Sequence, residues 1–370
     1  MHNLEIGAAK IYFGKYSTNG VMFAVDKGTV MDVGKAKKAD KNATGETDYK
    51  TEVKDAVTTQ TEIRDAETNV TSSYDDGANY AATGTVIAYS TGVWNNTNMP
   101  GGVANGLTNE PSVINLYKPV IMSGRAKLNG TTLNRSVALV ASKGGVVNAK
   151  STVTANGYSS IIALAEGKSG NKNSTVNITG NITAKDGWAA KDAATKPYLY
   201  NNIGAYAGAN GTVNITGNAD IYGIGAMASG SNAVVNLNGT NNTIKTGKSG
   251  ALVATNGGRV NFGGGTITHE ENYSGDHDSS TPFNADSSSR INFTGTTTLN
   301  ISHGVLIPGT KDDYAAATGT TKKYNGMSNV TVNLTGDNVV LASNNGVPKV
   351  WDGTTIADLV KSTMQVKAFN

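Results

Sequence analysis

Thr212-Val213-Asn214-Ile215-Thr216-Gly217 and Val234-Val235-Asn236-Leu237-Asn238-Gly239 carry the reading of the fold, because one phrase recurs along the chain. Further copies are Thr175-Val176-Asn177-Ile178-Thr179-Gly180, Arg259-Val260-Asn261-Phe262-Gly263-Gly264, Arg290-Ile291-Asn292-Phe293-Thr294-Gly295 and Thr331-Val332-Asn333-Leu334-Thr335-Gly336, with a degenerate one at Val146-Val147-Asn148-Ala149. Each alternates with period two. Val or Ile and then Ile, Leu or Phe share one side, Asn and Thr the other, and Gly follows as a turn. A strand this short is unstable alone, but stacked copies support one another.

The Asn of the phrase falls at 148, 177, 214, 236, 261, 292 and 333, with shortest gaps of 22 and 25 residues. That is one turn of a three-strand coil with tight corners, and longer gaps imply loops inserted into a constant rung. A second phrase precedes each copy: Val137-Ala138-Leu139-Val140-Ala141, Ile162-Ala163-Leu164-Ala165, Gly204-Ala205-Tyr206-Ala207, Gly225-Ala226-Met227-Ala228 and Ala251-Leu252-Val253-Ala254. Between the two lies a short apolar point at Ile182, Ile221, Ile244, Ile267 and Leu299. Leu is too scarce for a leucine-rich repeat, and neither the Gly-Gly-x-Gly-x-Asp calcium repeat nor the blade length of a propeller fits. The expected fold is all-β, a right-handed parallel β-helix over residues 1–370. Val176, Val213, Val235, Val260 and Ile291 should form one buried column, and Ile178, Ile215, Leu237, Phe262 and Phe293 a second. Asn214 and Asn236 should face outward in an amide ladder.

Composition agrees. The chain has 45 Gly, only 7 Pro, 16% charged residues and no Cys among 370 residues. Asn and Thr are plentiful, which suits many tight turns between short strands. The absence of Cys excludes thiolate sites and a disulfide scaffold. A net charge of +3 makes no case for nucleic acid. No apolar run is long enough to cross a membrane as a helix.

Several segments break the pattern and read as insertions: 35–79, 94–110, 186–202, 269–280 and 308–326. The first is charge-rich. Within it, Tyr49 to Val70 is expected to be an amphipathic helix, with a disordered loop as the alternative. Early rungs are expected at Lys10–Phe13, Gly20–Val25 and Gly28–Val33, and Asp32 and Asp220 read as isolated acids.

Repeats of the type Thr-Val-Asn-Ile-Thr-Gly at 212–217, after Ile-Gly-Ala-Tyr-Ala at 203–207, resemble passenger domains of type V autotransporters, closest in style to the large fusobacterial autotransporter adhesins. The resemblance covers roughly residues 80–345. It implies a β-helix displayed at a bacterial cell surface that attaches to a protein or glycan of a host cell or another microbe. In that family a signal peptide lies upstream and a membrane-anchoring barrel downstream. The sequence is accordingly expected to be a piece of a longer chain, anchored to the outer membrane from outside these residues, with no cofactor and no enzymatic activity.

The candidate contact residues are aromatic or large and apolar. Trp188, Tyr198 and Tyr200 cluster in one insertion, where they serve a ligand or pack the loop. In the second phrase, if Ala205 and Ala207 point inward, then Tyr206 points out, and the same phase puts Leu139, Leu164, Met227 and Leu252 on one outward stripe. The reverse phase would place the large residues in the core. His269, Glu270, Asp276, His277 and Asp278 form the densest polar cluster, readable as a metal site or as a solvated acidic loop. The competing function is a polysaccharide-degrading β-helix, which needs paired carboxylates on adjacent rungs of one face. The clean rungs instead offer Asn, Thr and Ser. A stalk with no ligand of its own is a further alternative.

Overall fold

The structure is a computed structural model. It describes residues 20–34, 85–93, 110–122, 132–157, 159–185, 202–247, 250–270, 281–308 and 324–344, and the short strands Asn3–Ile6, Lys10–Tyr12, Glu62–Arg64, Lys127–Asn129, Val347–Pro348 and Gln365–Ala368. The chain coils as a parallel β-helix with three faces per turn. The first face stacks ten strands in chain order: Asn3–Ile6, Val30–Val33, Val113–Leu116, Val146–Ala149, Lys172–Ile178, Gly211–Ile215, Val234–Leu237, Arg259–Phe262, Arg290–Phe293 and Tyr324–Asn325. The second face follows each of these at a corner, as in Val153–Ala155, Ile182–Ala184, Asn242–Thr246 and Gly265–His269. The third carries Val21–Val25, Val86–Thr91, Val137–Ser142, Ile161–Glu166, Asn202–Ala207, Leu252–Thr255 and Phe283–Ala285. Ala219–Ser229, Thr297–Pro308 and Val330–Asn344 run without a break from the second face onto the third. With one rung per about 4.8 Å, ten rungs span roughly 45 Å.

Register is strict on the first face. Val176 pairs with Val213, Val213 with Val235, Val235 with Val260 and Val260 with Ile291. All five are buried, as are Ile178, Ile215, Leu237, Phe262 and Phe293 beside them, so both expected columns form. The pairing is unbroken across residues 186–201, because Asn177 meets Asn214 and Ala163 meets Ala205 directly.

The inner columns of the second face trade volume. Val120, Val153 and Ile182 give way upward to Ala219, Asn242 and Gly265. The neighbouring column runs from Ala155 and Ala184 to Ile221, Ile244 and Ile267. Large and small residues therefore swap places at one height, which keeps the interior filled. Ile182 consequently lies over Ala219, one column away from Ile221 with which the sequence pattern grouped it. Gly225 shows how tight the fit is, since a Cβ there would meet Ile244 Cδ1 at 2.2 Å. Higher up, aromatic residues fill the interior, with Phe262 edge-on to Phe293 at 6.3 Å and Phe283 to Phe293 at 4.9 Å.

The expected amide ladder is present and longer than the phrase suggested. Each Asn Nδ2 donates to the side-chain oxygen one rung below. The bonds run from Asn325 to Asn292, Asn261, Asn236, Asn214, Asn177, Asn148 and Asn115, at 2.6–2.9 Å. The series ends on Asp32, whose carboxylate accepts from Asn115 Nδ2 at 2.8 Å and from Tyr117 Oη at 3.4 Å. Asp32 is therefore not isolated. A carboxylate only accepts, so its place at the base fits a ladder in which every N–H points towards it.

Three expectations need correction. Thr331–Gly336 does not join the first face. Its Asn333 donates to Asn300 at 2.8 Å on the second face, and Tyr324–Asn325 supplies the first-face rung instead. A period-two phrase fits any flat face, so its chemistry alone does not assign it. The insertion placed at 308–326 accordingly contains a strand at its end, and Pro308 closes a strand at its beginning. Finally, Glu62–Arg64, inside the expected helix of Tyr49 to Val70, is a strand pairing with Lys10–Tyr12 and with Val120 and Ile121. Backbone groups committed to an inter-rung ladder are unavailable for helical bonds, and no α-helix occurs among the described residues. The rest of 35–79 lies outside them.

The corners use buried polar side chains. Asn242 Nδ2 donates to Gly239 O at 2.5 Å and Gly264 O at 2.8 Å, while its Oδ1 accepts from Ala219 N at 2.8 Å. Asn202 does the same one rung below, accepting from Ser160 N at 3.0 Å and donating to Tyr222 O at 3.2 Å.

Two outcomes follow for thermal unfolding. Ile215→Ala should cost about 2–5 kcal/mol through the cavity it leaves, and Ile215→Asp should abolish the cooperative transition. Asn242→Ala strands three buried backbone groups and should cost about 1–3 kcal/mol. Asn214→Ala, where water reaches the vacated partners, should cost less. Equal losses for the two Asn variants would contradict the assignment of corner and ladder roles.

Candidate functional site

The third face repeats a five-residue pattern of out, in, in, out, in. Ala closes it at 141, 165, 207, 228, 254 and 285, and all six are buried. The two inward residues before it are Ala138 and Leu139, Ile162 and Ala163, Gly204 and Ala205, and Gly225 and Ala226 in successive rungs. The outward places form two columns. One holds Val86, Val137, Ile161, Ile203 and Ile224, and the other Tyr89, Val140, Leu164, Tyr206, Met227 and Val253. The two columns pack together as an apolar cluster separate from the core. Val137, Val140, Ile161 and Ile203 are nearly buried within it, whereas Leu164, Tyr206 and Met227 are half-buried.

The phase that turns Tyr206 outward is thus the observed one, and Tyr206 pairs with Met227 and Leu164 in the same column. Leu139 and Leu252 are corrections. Both point inward and are fully buried, and Val140 and Val253 take the outward places. The phrase Ala-Leu-x-Ala misleads because two consecutive residues turn inward. The signal that fixes the phase is the closing Ala, which stands one residue after every outward member from Val140 to Asn284.

Tyr206 is the titratable member of the stripe. Partial burial raises its phenol above the usual value, and the negative charge of Glu166 pushes the same way. Tyr89 Oη donates to Ser142 Oγ at 3.5 Å, a weak contact.

The second face exposes a different chemistry. Lys185 pairs with Asp220, and Lys245 with Glu270 at 2.5 Å. Lys245 also lies 5.9 Å from the centre of the Tyr222 ring. The Lys185 ammonium is held above its ordinary value by its hydrogen bond to Asp220. These exposed pairs contribute little stability.

His269 and Glu270 do not come together. His269 is the last residue of its strand, fully buried in the column between Thr246 and Ile301, whereas Glu270 reaches out to Lys245. The pleat sends adjacent residues to opposite sides of the wall. No cluster of metal-binding residues occurs among the described residues. Asp276, His277, Asp278, Trp188, Tyr198 and Tyr200 lie outside them. Among the described residues no helix is long and apolar enough to cross a membrane.

Comparison with protein-family models, curated proteins and solved structures gave no match for this chain.

The Tyr206 shift fixes a sign for alkaline pH. A phenol whose folded pKa is raised contributes stability that is complete below the unfolded value of about 10 and is lost as pH rises through the folded value. Tyr206→Phe should therefore flatten the fall in thermal midpoint from pH 9 upward. Glu166→Gln should flatten it less. Identical alkaline profiles for wild type and Tyr206→Phe would contradict this environment.

Proposed function

We propose that this chain is an adhesive β-helix of the autotransporter-passenger kind, displayed at a bacterial cell surface and attaching to a protein or glycan on a host cell or another microbe. The observation that supports this reading is the outer apolar stripe of the third face. Tyr89, Val140, Leu164, Tyr206, Met227 and Val253 occupy successive rungs and face away from the core. Contiguous apolar surface of this kind marks an interface. Tyr combines contact area with little conformational freedom to lose, and Met adapts to irregular partners. Each residue sits on a strand paired above and below, so the stripe is organised before a partner arrives, which lowers the cost of binding.

The β-helix itself supplies reach. Stacked rungs hold a surface far from a membrane anchor without a large globular core. In this reading the anchor lies outside the given residues, and no cofactor takes part. Degradation of polysaccharide is less well supported. Glycoside cleavage needs two cooperating carboxyl groups, and the described acids of the second face, Asp220 and Glu270, are each engaged by a lysine.

Replacing Tyr206 and Met227 together by Ser should reduce attachment to a responsive cell or ligand by about tenfold or more, the scale of interface anchors. The thermal midpoint should move by no more than about 3 °C, a fraction of what a core substitution causes. Undiminished attachment in a stably folded double variant would sink the proposal. So would release of new reducing ends from a polysaccharide panel, which would place the chain among the degrading enzymes.

A further inference from the structure

We infer that the upper part of the first face, at Arg259 and Arg290, is a second binding surface, and that it takes an anionic polysaccharide laid along the axis of the β-helix.

Arg259 and Arg290 are direct register partners on adjacent rungs. They occupy the outward column that Thr175, Thr212 and Val234 fill lower down. Like charges stacked in this way oppose pairing of the strands. On the second face the chain avoids that cost, because Lys185 and Lys245 each have an acid. On the first face it does not. Arg259 is exposed and makes no ion pair among the described residues.

The acid closest in sequence to Arg290 is already committed. Asp286 accepts hydrogen bonds from the backbone N–H of Asn256 and from both N–H and Oγ of Ser288. Burial pushes its carboxyl up, but these bonds, with one from Ser289, outweigh that and hold it at about 2. Arg290 is held in place, since its Nη1 donates to Ser289 O at 2.6 Å and to Ser287 O at 3.2 Å. Its other N–H groups remain for further acceptors. A guanidinium fixed in this way suits the two-oxygen edge of a carboxylate or sulfate.

The neighbouring outward column extends the surface. Asn236, Asn261, Asn292 and Asn325 each spend one N–H and one oxygen lone pair on the ladder. An amide has two N–H donors and two lone pairs. One of each is left, repeated at every rung, about 4.8 Å apart. A row of hydroxyl-matching groups beside a pair of cations fits a linear polymer bearing both hydroxyls and acidic groups. A small anion would use the arginines alone. From Val234 to Asn325 the outward places of the first face hold Val, Arg and Asn and no aromatic residue, so the platform on which single-stranded nucleic acid stacks is missing.

The test measures retention and affinity of the full chain on immobilised heparin, which is sulfated, polygalacturonate, which carries only carboxylates, dextran, which is neutral, and single-stranded DNA. Binding to heparin, polygalacturonate or both, weakening as salt rises, is expected, and the two arms tell sulfate from carboxylate recognition. Arg259→Gln with Arg290→Gln should lower that affinity at least tenfold, and Arg259→Gln alone should do so in part while keeping the carbonyl contacts of Arg290. Lys185→Gln with Lys245→Gln should leave it unchanged. Failure to bind either acidic polymer overturns the inference. Equal loss from the lysine variants or DNA binding of equal strength does so as well. Attachment through the third face is read separately with the Tyr206 and Met227 variants, so either surface stands or falls without the other.

Discussion

Every inward or outward position in this protein is fixed by the parallel backbone ladder between rungs. Once Val213 is bonded over Val176, each later residue of the rung has its vertical neighbour assigned, and a slip of one residue would turn the whole wall inside out. The rungs gain most of their stability from burial, but register decides what is buried. The asparagine column strengthens that register from outside, because an amide one rung out of step would lose a bond above and another below. Its base on Asp32 gives the series a direction as well as a position.

Register also explains how the interior accommodates unlike residues. The core is a set of continuous columns, and a column becomes small only where its neighbour becomes large. Ala219 and Gly265 stand beside Ile221 and Ile267, and Gly225 leaves room for Ile244. Corners are governed differently. The chain must turn inside a dry interior at three points per rung, and the turning backbone needs partners there. Asn202 and Asn242 supply them with side-chain amides that reach three backbone groups each. Their outlay is a buried polar group, and full satisfaction makes it tolerable.

The same constraint sets the surfaces. Because the outward residues also stack, any chemistry repeated at one phase of the rung becomes a stripe along the axis. The third face acquires an apolar stripe, the second a row of paired charges, and the first an amide row that meets two arginines. Function on such a scaffold lies in stripes and in the loops between rungs, while the wall behind stays nearly constant.

The fold and its repeat were legible in the sequence. The Val-Asn-Ile phrase has an unmistakable period of two, and its return at 22 and 25 residues leaves little besides a three-sided coil. The two buried columns and the outward Asn could be named residue by residue, because alternation on one strand settles them locally. Tyr206 and Met227 could be placed outward for the same reason. What the sequence could not assign was identity between faces. Thr331–Gly336 reads like a first-face rung and belongs to the second, since both faces ask for the same alternation. Leu139 and Leu252 read as outward and are buried, because the third face turns two adjacent residues inward and breaks the simple period. Asp32 looked solitary because its partners at Asn115 and Tyr117 lie more than eighty residues away. Glu62–Arg64 carries helix-like charge spacing, yet its backbone is captured by rungs on either side. Pattern within a strand depends on neighbours close in sequence, whereas face, phase and the partner above depend on stacking, and only the folded coil brings those together.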